Sequence, residues 1–178
     1  MPSSPDSSPA TVLVRRAVAE FESMLTGYVC NLTGELEMAR DVVQDTFFKL
    51  YKQDPSRLDG PGLKPWLFTV CRNRALDLMR RRRRQVSIED SPVDHLVDPT
   101  PSPDRFAADH DEAAFILRTF QRLPCNQAEV LRLKFQNDLS YQEIADVTGL
   151  STSNVGFLIH IGLKRLRVLL APEAAACS

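Results

Sequence analysis

Residues 139–155, LSYQEIADVTGLSTSNV, contain the pattern that decides the fold of this chain. Ser140 is a good helix N-cap, and Glu143 stands three residues later, where its carboxylate can complete a capping box. Gly149 can adopt the positive φ that ends a helix and permits a tight turn. A small residue four positions before that glycine and an apolar residue six positions after it are the spacing of a helix-turn-helix. Any two helices joined by a glycine turn could show the same pattern, so the rest of the chain is needed to identify a helix-turn-helix.

The sequence on either side of this pattern is also helical. Residues 104–122 carry apolar side chains at helical spacing, and Leu123 and Pro124 mark a new start, with the proline at the first helical position. That helix ends at Phe135. The predicted boundaries are a domain over residues 106–171, in which Ser151 caps the last helix, Ala171 and Pro172 stop it, and residues 172–178 form a tail.

Three longer helices are predicted in the first half of the chain from apolar residues that recur every three or four positions. They cover residues 11–31 and 35–52, and a third runs from about Pro65 into a tract of arginines. Two prolines and two glycines make residues 54–62 a loop. The side chains predicted to face the core are Val12, Val14, Ala17, Val18, Phe21, Leu25 and Val29 in the first helix, Leu36, Ala39, Val43, Phe47 and Leu50 in the second, and Phe68, Cys71, Ala75 and Leu78 in the third.

A second stripe on the helix over residues 35–52 mixes acidic and aromatic side chains. An exposed phenylalanine beside carboxylates suits a protein contact better than it suits water, which predicts a partner surface. The alternative is a solvated face with two half-buried rings. The stripe consists of Asp41, Gln44, Asp45, Phe48 and Tyr51.

One face of the third helix has the side chains of a nucleic-acid interface. Trp66 can stack on a base, Asn73 and Asp77 can form hydrogen bonds with base edges, and Arg80 and Arg81 can neutralise phosphates. Five arginines in a row exceed what the helix dipole favours at a C-terminal end. We therefore prefer nucleic acid over a merely solvated helix end as the explanation of this run.

The charge of the chain is distributed unevenly, although the net charge is only −1. Residues 1–84 carry 14 Lys and Arg against 10 Asp and Glu, whereas residues 85–105 carry five acids and one base. Four prolines and the absence of a helical period make residues 85–105 a flexible acidic linker. Residues 1–10 are rich in Ser and Pro and are predicted to be a disordered arm, which leaves residues 11–84 as the first domain.

Several functional classes are disfavoured by the sequence. It has no apolar run long enough to span a membrane and no secretory signal, so we expect a cytoplasmic protein. Its four cysteines are widely spaced and provide no metal or redox motif. It has no carboxylate pair, Cys/His dyad or phosphate-cradling glycine loop, so we expect neither an enzyme nor a metal or cofactor.

Two helical domains, an acidic linker, a basic aromatic helix and a helix-turn-helix resemble an extracytoplasmic-function (ECF) sigma factor of bacterial RNA polymerase. The resemblance covers about residues 12–170. Residues 39–51, ARDVVQDTFFKLY, look like the family's polymerase-binding segment, and residues 67–77, LFTVCRNRALD, look like its promoter-melting helix. Residues 123–135, LPCNQAEVLRLKF, together with 139–145, LSYQEIA, look like its domain for the minus-thirty-five element.

The resemblance implies a non-enzymatic specificity subunit that binds core RNA polymerase and promoter DNA, with an anti-sigma factor or an activator as a further partner. It implies an acidic linker that threads the polymerase channel, and a loop around residues 59–64 that holds a base flipped from the minus-ten strand. The implied site residues are Asp41, Gln44, Asp45 and Phe48 for core polymerase, Trp66, Asn73, Asp77, Arg80 and Arg81 for the minus-ten element, and Ser153, Asn154, Phe157, His160 and Lys164 for the minus-thirty-five element.

The last helix departs from the family pattern. Recognition helices of the family usually carry several Lys and Arg on their outward face, whereas residues 155–163, VGFLIHIGL, are almost uncharged. Asn154 could read an adenine, and Phe157 or Ile161 could contact thymine methyl groups. We predict weak binding of the minus-thirty-five element, since each missing phosphate contact weakens binding. A helical projection turns Val155, Leu158, Ile159, Leu166 and Leu169 inward and Ser153, Asn154, Phe157, His160, Ile161 and Lys164 outward.

Other functions remain open from the sequence. Phe157 and Ile161 could instead form a protein-binding patch for an anti-sigma factor or an activator. A degenerate homologue could bind polymerase or a regulator without reading a promoter. A free-standing helix-turn-helix repressor is a third possibility, and the sparse positive charge of the second domain argues against it.

Overall fold

The computed structural model describes residues 8–58, 60–89 and 118–174, with side chains for all of these except 86–89 and 171–174. Every regular element in these ranges is an α-helix, which confirms the predicted all-α class. The chain divides into two units, Met1–Val93 and Asp94–Ser178, each with its own core. The expectations that lie outside the described residues concern residues 1–7, Asp59, the linker from residue 90, the start of the helix over 104–122, and residues 175–178.

The first unit contains α1 (Pro9–Thr33), α2 (Leu36–Tyr51), α3 (Pro55–Leu58) and α4 (Leu63–Glu89). α1 begins inside the stretch predicted as an arm, because Ser8 caps it: the Ser8 hydroxyl accepts from the backbone N–H of Thr11 at 3.1 Å. α1 ends at Gly34, whose φ of 78° places it in the left-handed region and whose N–H donates to the carbonyl of Cys30.

The core of the first unit lies where α1 packs against both α2 and α4. The rings of Tyr28 and Phe68 meet edge to face at 5.2 Å between centroids.

The predicted core stripes were wrong at Val12 in α1 and at Leu36 in α2, which are 55% and 47% exposed. Because successive helical residues are about 100° apart, periodicity locates a stripe only to within one residue, and neighbouring helices decide which edge is covered. The buried residues are Leu13, Ala17, Phe21, Leu25, Tyr28 and Val29 in α1, Ala39, Val42, Val43, Thr46, Phe47 and Leu50 in α2, and Leu63, Leu67, Phe68, Cys71 and Ala75 in α4; Leu78, also predicted to face the core, is half-buried.

The segment predicted as a loop between α2 and α4 contains the short helix α3. Asp54 starts it, because its Oδ1 accepts from the backbone N–H of Ser56 at 3.0 Å and from the Ser56 hydroxyl at 2.8 Å. α4 begins at Leu63, two residues before Pro65, which is tolerated within a first turn. It also continues five residues beyond Arg84, where the linker was predicted to begin, because no proline stands before residue 92 to stop it.

The second unit contains a helical turn over residues 118–121, α5 (Cys125–Phe135), α6 (Tyr141–Thr148) and α7 (Thr152–Ala174). Pro124 takes the N-cap position of α5 instead of the predicted first helical position. α7 continues three residues past Ala171, because Pro172 costs only one backbone hydrogen bond so close to the helix end.

The helix-turn-helix forms as predicted. The backbone N–H of Glu143 donates to Oγ of Ser140 at 3.2 Å, and the N–H of Ser140 donates to Oε2 of Glu143 at 2.7 Å, which is a complete capping box. Gly149 ends α6 with a φ of 76°. Ser151 then caps α7, since its hydroxyl accepts from the N–H of Asn154 at 3.2 Å. These local bonds fix the turn that presents α7.

α7 approaches α5 closely at Gly162. A Cβ atom at this position would lie 2.8 Å from Cδ1 of Leu131, which is closer than side chains pack. Nearby, Nη1 of Arg165 donates to Oε1 of the buried Gln127 at 3.3 Å. Glycine therefore permits the contact that holds the middle of α7 against α5, with Val155, Leu158 and Ile159 buried beside it.

Candidate nucleic-acid and partner interfaces

The outer side of α2 presents aromatic and polar groups next to an apolar groove. Phe48 is 61% exposed, Tyr51 is 53% exposed, and Asp41 and Gln44 are also exposed. The groove between α1 and α2 has a volume of about 860 Å³. An exposed phenylalanine at the edge of such a groove gives a partner helix an apolar anchor point. The groove is lined by Val14, Val18, Glu22, Ser23, Thr26, Arg40, Val43, Gln44, Phe47, Phe48 and Tyr51.

The contribution of α1 to this groove was missed by the sequence reasoning. Val14 and Val18 were assigned to the core, but both are only half-buried and line the groove. The available signal was the width of the apolar stripe on α1, which exceeds what one neighbouring helix can cover. The second apolar edge of α1 therefore forms a surface and is not part of the packed interior.

Asp45 lies differently from the rest of the predicted partner stripe. Its side chain is partly covered, and its Oδ2 accepts a hydrogen bond from Nε of Arg74 at 3.0 Å and forms an ion pair with Nη2 at 2.9 Å. Arg74 belongs to α4, so this pair joins the helix with the partner stripe to the helix with the basic tract. Neither residue alone indicates this contact in the sequence, because they are 29 positions apart.

The structure brings the predicted nucleic-acid residues together along α4. Trp66 is half-buried, while Asn73, Asp77, Arg80 and Arg81 are exposed. Nη1 of Arg80 lies 3.3 Å from Oδ1 of Asp77, with both side chains more than half exposed. An ion pair this exposed contributes little stability, so Arg80 can exchange its carboxylate partner for a phosphate at small cost.

The arginine tract is divided by one tertiary contact that the sequence did not reveal. Nη1 of Arg82 forms an ion pair with Oε1 of Glu35, which stands at the turn between α1 and α2. Arg81, Arg83 and Arg84 remain exposed on the same helix. One arginine thus ties the tract to the helical core while its neighbours present positive charge to solvent.

The outer face of α7 is exposed and almost uncharged. Ser153, Asn154, Phe157, His160 and Lys164 are exposed, with Phe157 at 60%. Ile161, projected outward, is half-buried, as are Leu166 and Leu169, which were projected inward.

Tyr141 is an exposed aromatic residue that the sequence reasoning did not select. It occupies the first position of α6, and its ring lies beside α7, with Cε2 3.5 Å from the point where Gly156 would carry a Cβ atom. Nζ of Lys134 lies 5.8 Å from the centroid of the same ring. The signal in the sequence was an aromatic residue among polar side chains directly after the N-cap.

Two titratable groups, the buried Cys71 and the half-buried Arg132, belong to the cores and not to these surfaces. Burial raises the pKa of Cys71 to about 12, and its Sγ donates to the hydroxyl of Thr46 at 3.2 Å. Burial lowers the pKa of Arg132, whose guanidinium lies 5.3 Å from the ring centroid of Phe120.

Within the described residues, no group of three or more His, Cys, Asp or Glu could hold a metal ion, and no helix is long and apolar enough to cross a membrane.

Comparison with known families matches both units. Residues 17–85 match the family described as Sigma-70 region 2, and residues 116–166 match Sigma-70, region 4. The chain is 33% identical over 135 residues to the ECF RNA polymerase sigma factor RpoE of Cereibacter sphaeroides, which covers 74% of this chain and 69% of that protein. It is 29% identical over 144 residues to the ECF RNA polymerase sigma factor SigM of Bacillus subtilis, covering 80% and 85% of the two chains.

The fold is also similar to that of a solved sigma factor. The co-crystal structure of the sigma factor RpoE in complex with the anti-sigma factor NepR from Bartonella quintana matches with a TM-score of 0.65 and 24% identity. The match covers 88% of this chain and 96% of that one.

Proposed function

The chain belongs to the ECF sigma factors of RNA polymerase, and from that premise we propose which of its surfaces bind core polymerase and which bind promoter DNA. It binds core polymerase and promoter DNA and directs initiation. The observation that carries this conclusion is the order of the two units, a region 2 match followed by a region 4 match, each with its own helical core. The assignment of individual residues below is our proposal.

Core polymerase binds the outer side of α2 and the adjoining groove. Phe48 supplies an exposed ring at the groove edge, Gln44 offers an amide beside it, and Asp41 adds negative charge on the same side. Asp45 contributes a carboxylate that is already held by Arg74. An apolar anchor surrounded by polar groups is the arrangement in which a few residues supply most of the binding energy.

The minus-ten element binds the exposed face of α4. Trp66 stacks on a base, Asn73 and Asp77 contact base edges or the displaced strand, and Arg80 and Arg81 pair with phosphates. Opening the duplex requires no covalent chemistry, because unstacking a base costs a few kcal/mol and captured single strand offsets that cost. The protein therefore acts as a binding subunit and not as an enzyme.

The minus-thirty-five element binds the outer face of α7 through short-range contacts. Asn154 and Ser153 lie exposed near the start of the helix, Phe157 and His160 follow one turn on, and Lys164 supplies the nearest positive charge. With so few phosphate contacts this interaction is weak and depends little on salt. Promoter selection accordingly rests more on α4 than on α7.

A regulator of the same protein competes with or assists these contacts. The similar Bartonella quintana protein is seen with an anti-sigma factor, and we propose an anti-sigma factor or an activator as a partner of this chain as well. The exposed Phe157 and the α1–α2 groove are two apolar surfaces that such a partner could cover. We place the protein in the cytoplasm, where core polymerase acts.

Promoter-specific transcription in vitro tests the proposal directly. The full chain is added to core polymerase from the same organism, with fragmented genomic DNA as template, and transcript starts are mapped. Discrete starts that share an upstream motif are the expected result. Tight binding to core polymerase without specific starts would contradict promoter selection by the isolated protein.

A further inference from the structure

The contact between α2 and α4 is made polar at two successive positions. Arg74 donates through Nε to Oδ2 of Asp45 at 3.0 Å, and its Nη2 forms an ion pair with the same oxygen at 2.9 Å. At the next position along α2, Thr46 accepts from Sγ of Cys71 at 3.2 Å, and both of these side chains are buried. The α2–α4 interface therefore contains two adjacent polar contacts: the partly exposed Arg74–Asp45 pair and the buried Cys71–Thr46 hydrogen bond.

Both side chains of the pair are partly exposed, so the carboxylate of Asp45 can be bound by Arg74 and by a second donor at the same time. The side chain of Arg74 is 31% exposed and that of Asp45 is 46% exposed. A carboxylate offers about four lone-pair positions on its two oxygens. Both of these contacts fall on Oδ2, and the carboxylate is nearly half exposed, so Asp45 can accept from a second donor that arrives from solvent while it stays bound to Arg74.

We propose that Arg74 is a positioning residue for the binding of core polymerase, because it holds the carboxylate of Asp45 in place on α2 without contacting the polymerase itself. This inference rests on the proposed function, which assigns Asp45 to the polymerase surface. Two donor atoms on one planar guanidinium restrict the carboxylate more than a single ammonium group would. A side chain that is already ordered loses less conformational entropy when the complex forms. We expect this to strengthen binding roughly three- to tenfold.

The test is a double-mutant cycle on binding to core polymerase. The full chain carries Arg74→Gln, Asp45→Asn or both, and the Kd for core polymerase is measured by competition with a labelled wild-type chain. We expect each single variant to weaken binding about fivefold and the double variant to be no weaker than Asp45→Asn alone. Thermal unfolding of each variant is recorded in parallel, because a purely structural role would lower the unfolding temperature without producing this non-additivity.

Arg57→Gln is the matched control. It removes an arginine from the same unit, where Nε of Arg57 lies 3.8 Å from Oδ2 of Asp54 in an exposed pair. Arg57→Gln should bind core polymerase with wild-type affinity. If Arg74→Gln fails to fold, Arg74→Lys replaces it, and we expect about threefold weaker binding with an unchanged circular dichroism spectrum. Wild-type affinity of Arg74→Lys would then overturn the proposal.

The remaining outcomes separate this inference from the function on which it rests. If Arg74→Gln weakens binding equally with and without Asp45→Asn, Arg74 does not act through Asp45 and the inference is wrong. If Asp45→Asn binds normally while Gln44→Ala and Phe48→Ala bind weakly, the inference fails and the polymerase surface stands. If all three bind normally, the proposed polymerase surface itself is wrong.

Discussion

The two helices that we propose to face DNA differ sharply in charge. α4 carries five consecutive arginines on the same helix as Trp66 and Asn73. The outward face of α7 offers hydroxyls, an amide and a phenylalanine before its first lysine at position 164. Phosphate contacts supply affinity at all sequences, and base contacts supply discrimination. We therefore propose that the two helices contribute unequally: α4 supplies most of the affinity and of the promoter selection, and α7 adds a few short-range base contacts.

The two helices are also held in different ways. Besides its buried apolar face, α4 makes two ion pairs, through Arg74 to Asp45 and through Arg82 to Glu35. α7 is fastened by close apolar packing at Gly162 and by the capped turn before it. Two arginines of α4 thus contact acidic groups of their own unit, whereas Arg165 of α7 contacts the neutral amide of Gln127.

Removal of the exposed charge on α4 should have the largest effect. We expect Arg80→Ala with Arg81→Ala to weaken holoenzyme binding to a promoter about 100-fold, since a hydrogen bond to a charged group contributes about 1.5–3 kcal/mol. The logarithmic salt dependence should become shallower by about 1.4–1.8. Promoter affinity measured over a range of potassium chloride concentrations checks both values. Lys164→Ala on α7 is the comparison, and an equal loss from this single change would break the proposed division.

Packing at Gly162 should show the next largest effect. Gly162→Ala places a methyl group 2.8 Å from Cδ1 of the buried Leu131, so we expect the second unit to lose about 1–2 kcal/mol of unfolding free energy. Gly156→Ala is the matched control on the same helix, because its added methyl group meets only the Tyr141 ring at 3.5 Å. That variant should gain up to about 1 kcal/mol from helix propensity. Urea unfolding of the full chain measures both, and equal stability of the two variants would contradict the close approach.

A smaller effect is expected from Phe157. Phe157→Ala should reduce discrimination for thymine in the minus-thirty-five element by about fivefold while leaving the salt dependence unchanged, because in the proposed complex the ring contacts base methyl groups and no phosphate. Promoter competition with uracil in place of thymine at the upstream positions measures this contact. If the variant instead selects promoters normally but loses affinity for an anti-sigma factor, the ring belongs to a protein interface.

At neutral pH the smallest expected effect concerns Cys71 in the first core. Its pKa rises from the ordinary value of 9.0 to about 12 because burial disfavours the thiolate. Stability from this shift is fully present below pH 9 and is lost as the pH rises towards 12. At pH 8 a thiol reagent should modify the half-buried Cys30 well before Cys71. Between pH 9 and 11 the wild-type chain should lose unfolding free energy faster than Cys71→Ala, and parallel pH profiles would contradict the shift.

Much of the fold follows from local chemistry that can be read along the chain. Ser140 and Glu143 predict a capping box, and Gly149 predicts a left-handed helix end, because each effect acts within one turn. The helix-turn-helix was therefore predicted residue by residue. The short helix α3 was missed, since prolines and glycines around it dominate the signal and its start depends on the side chain of Asp54.

The amino-acid sequence by itself determined the helices, the capped turn of the helix-turn-helix and the contrast in charge between α4 and α7. Only the tertiary structure decided which groups meet across helices. Arg74 reaches Asp45 across 29 positions and Arg82 reaches Glu35 across 47, and two edges of different helices form the groove beside Phe48. The physical reason is range: caps and helical periods act between residues a few positions apart, whereas ion pairs and grooves depend on how whole helices pack.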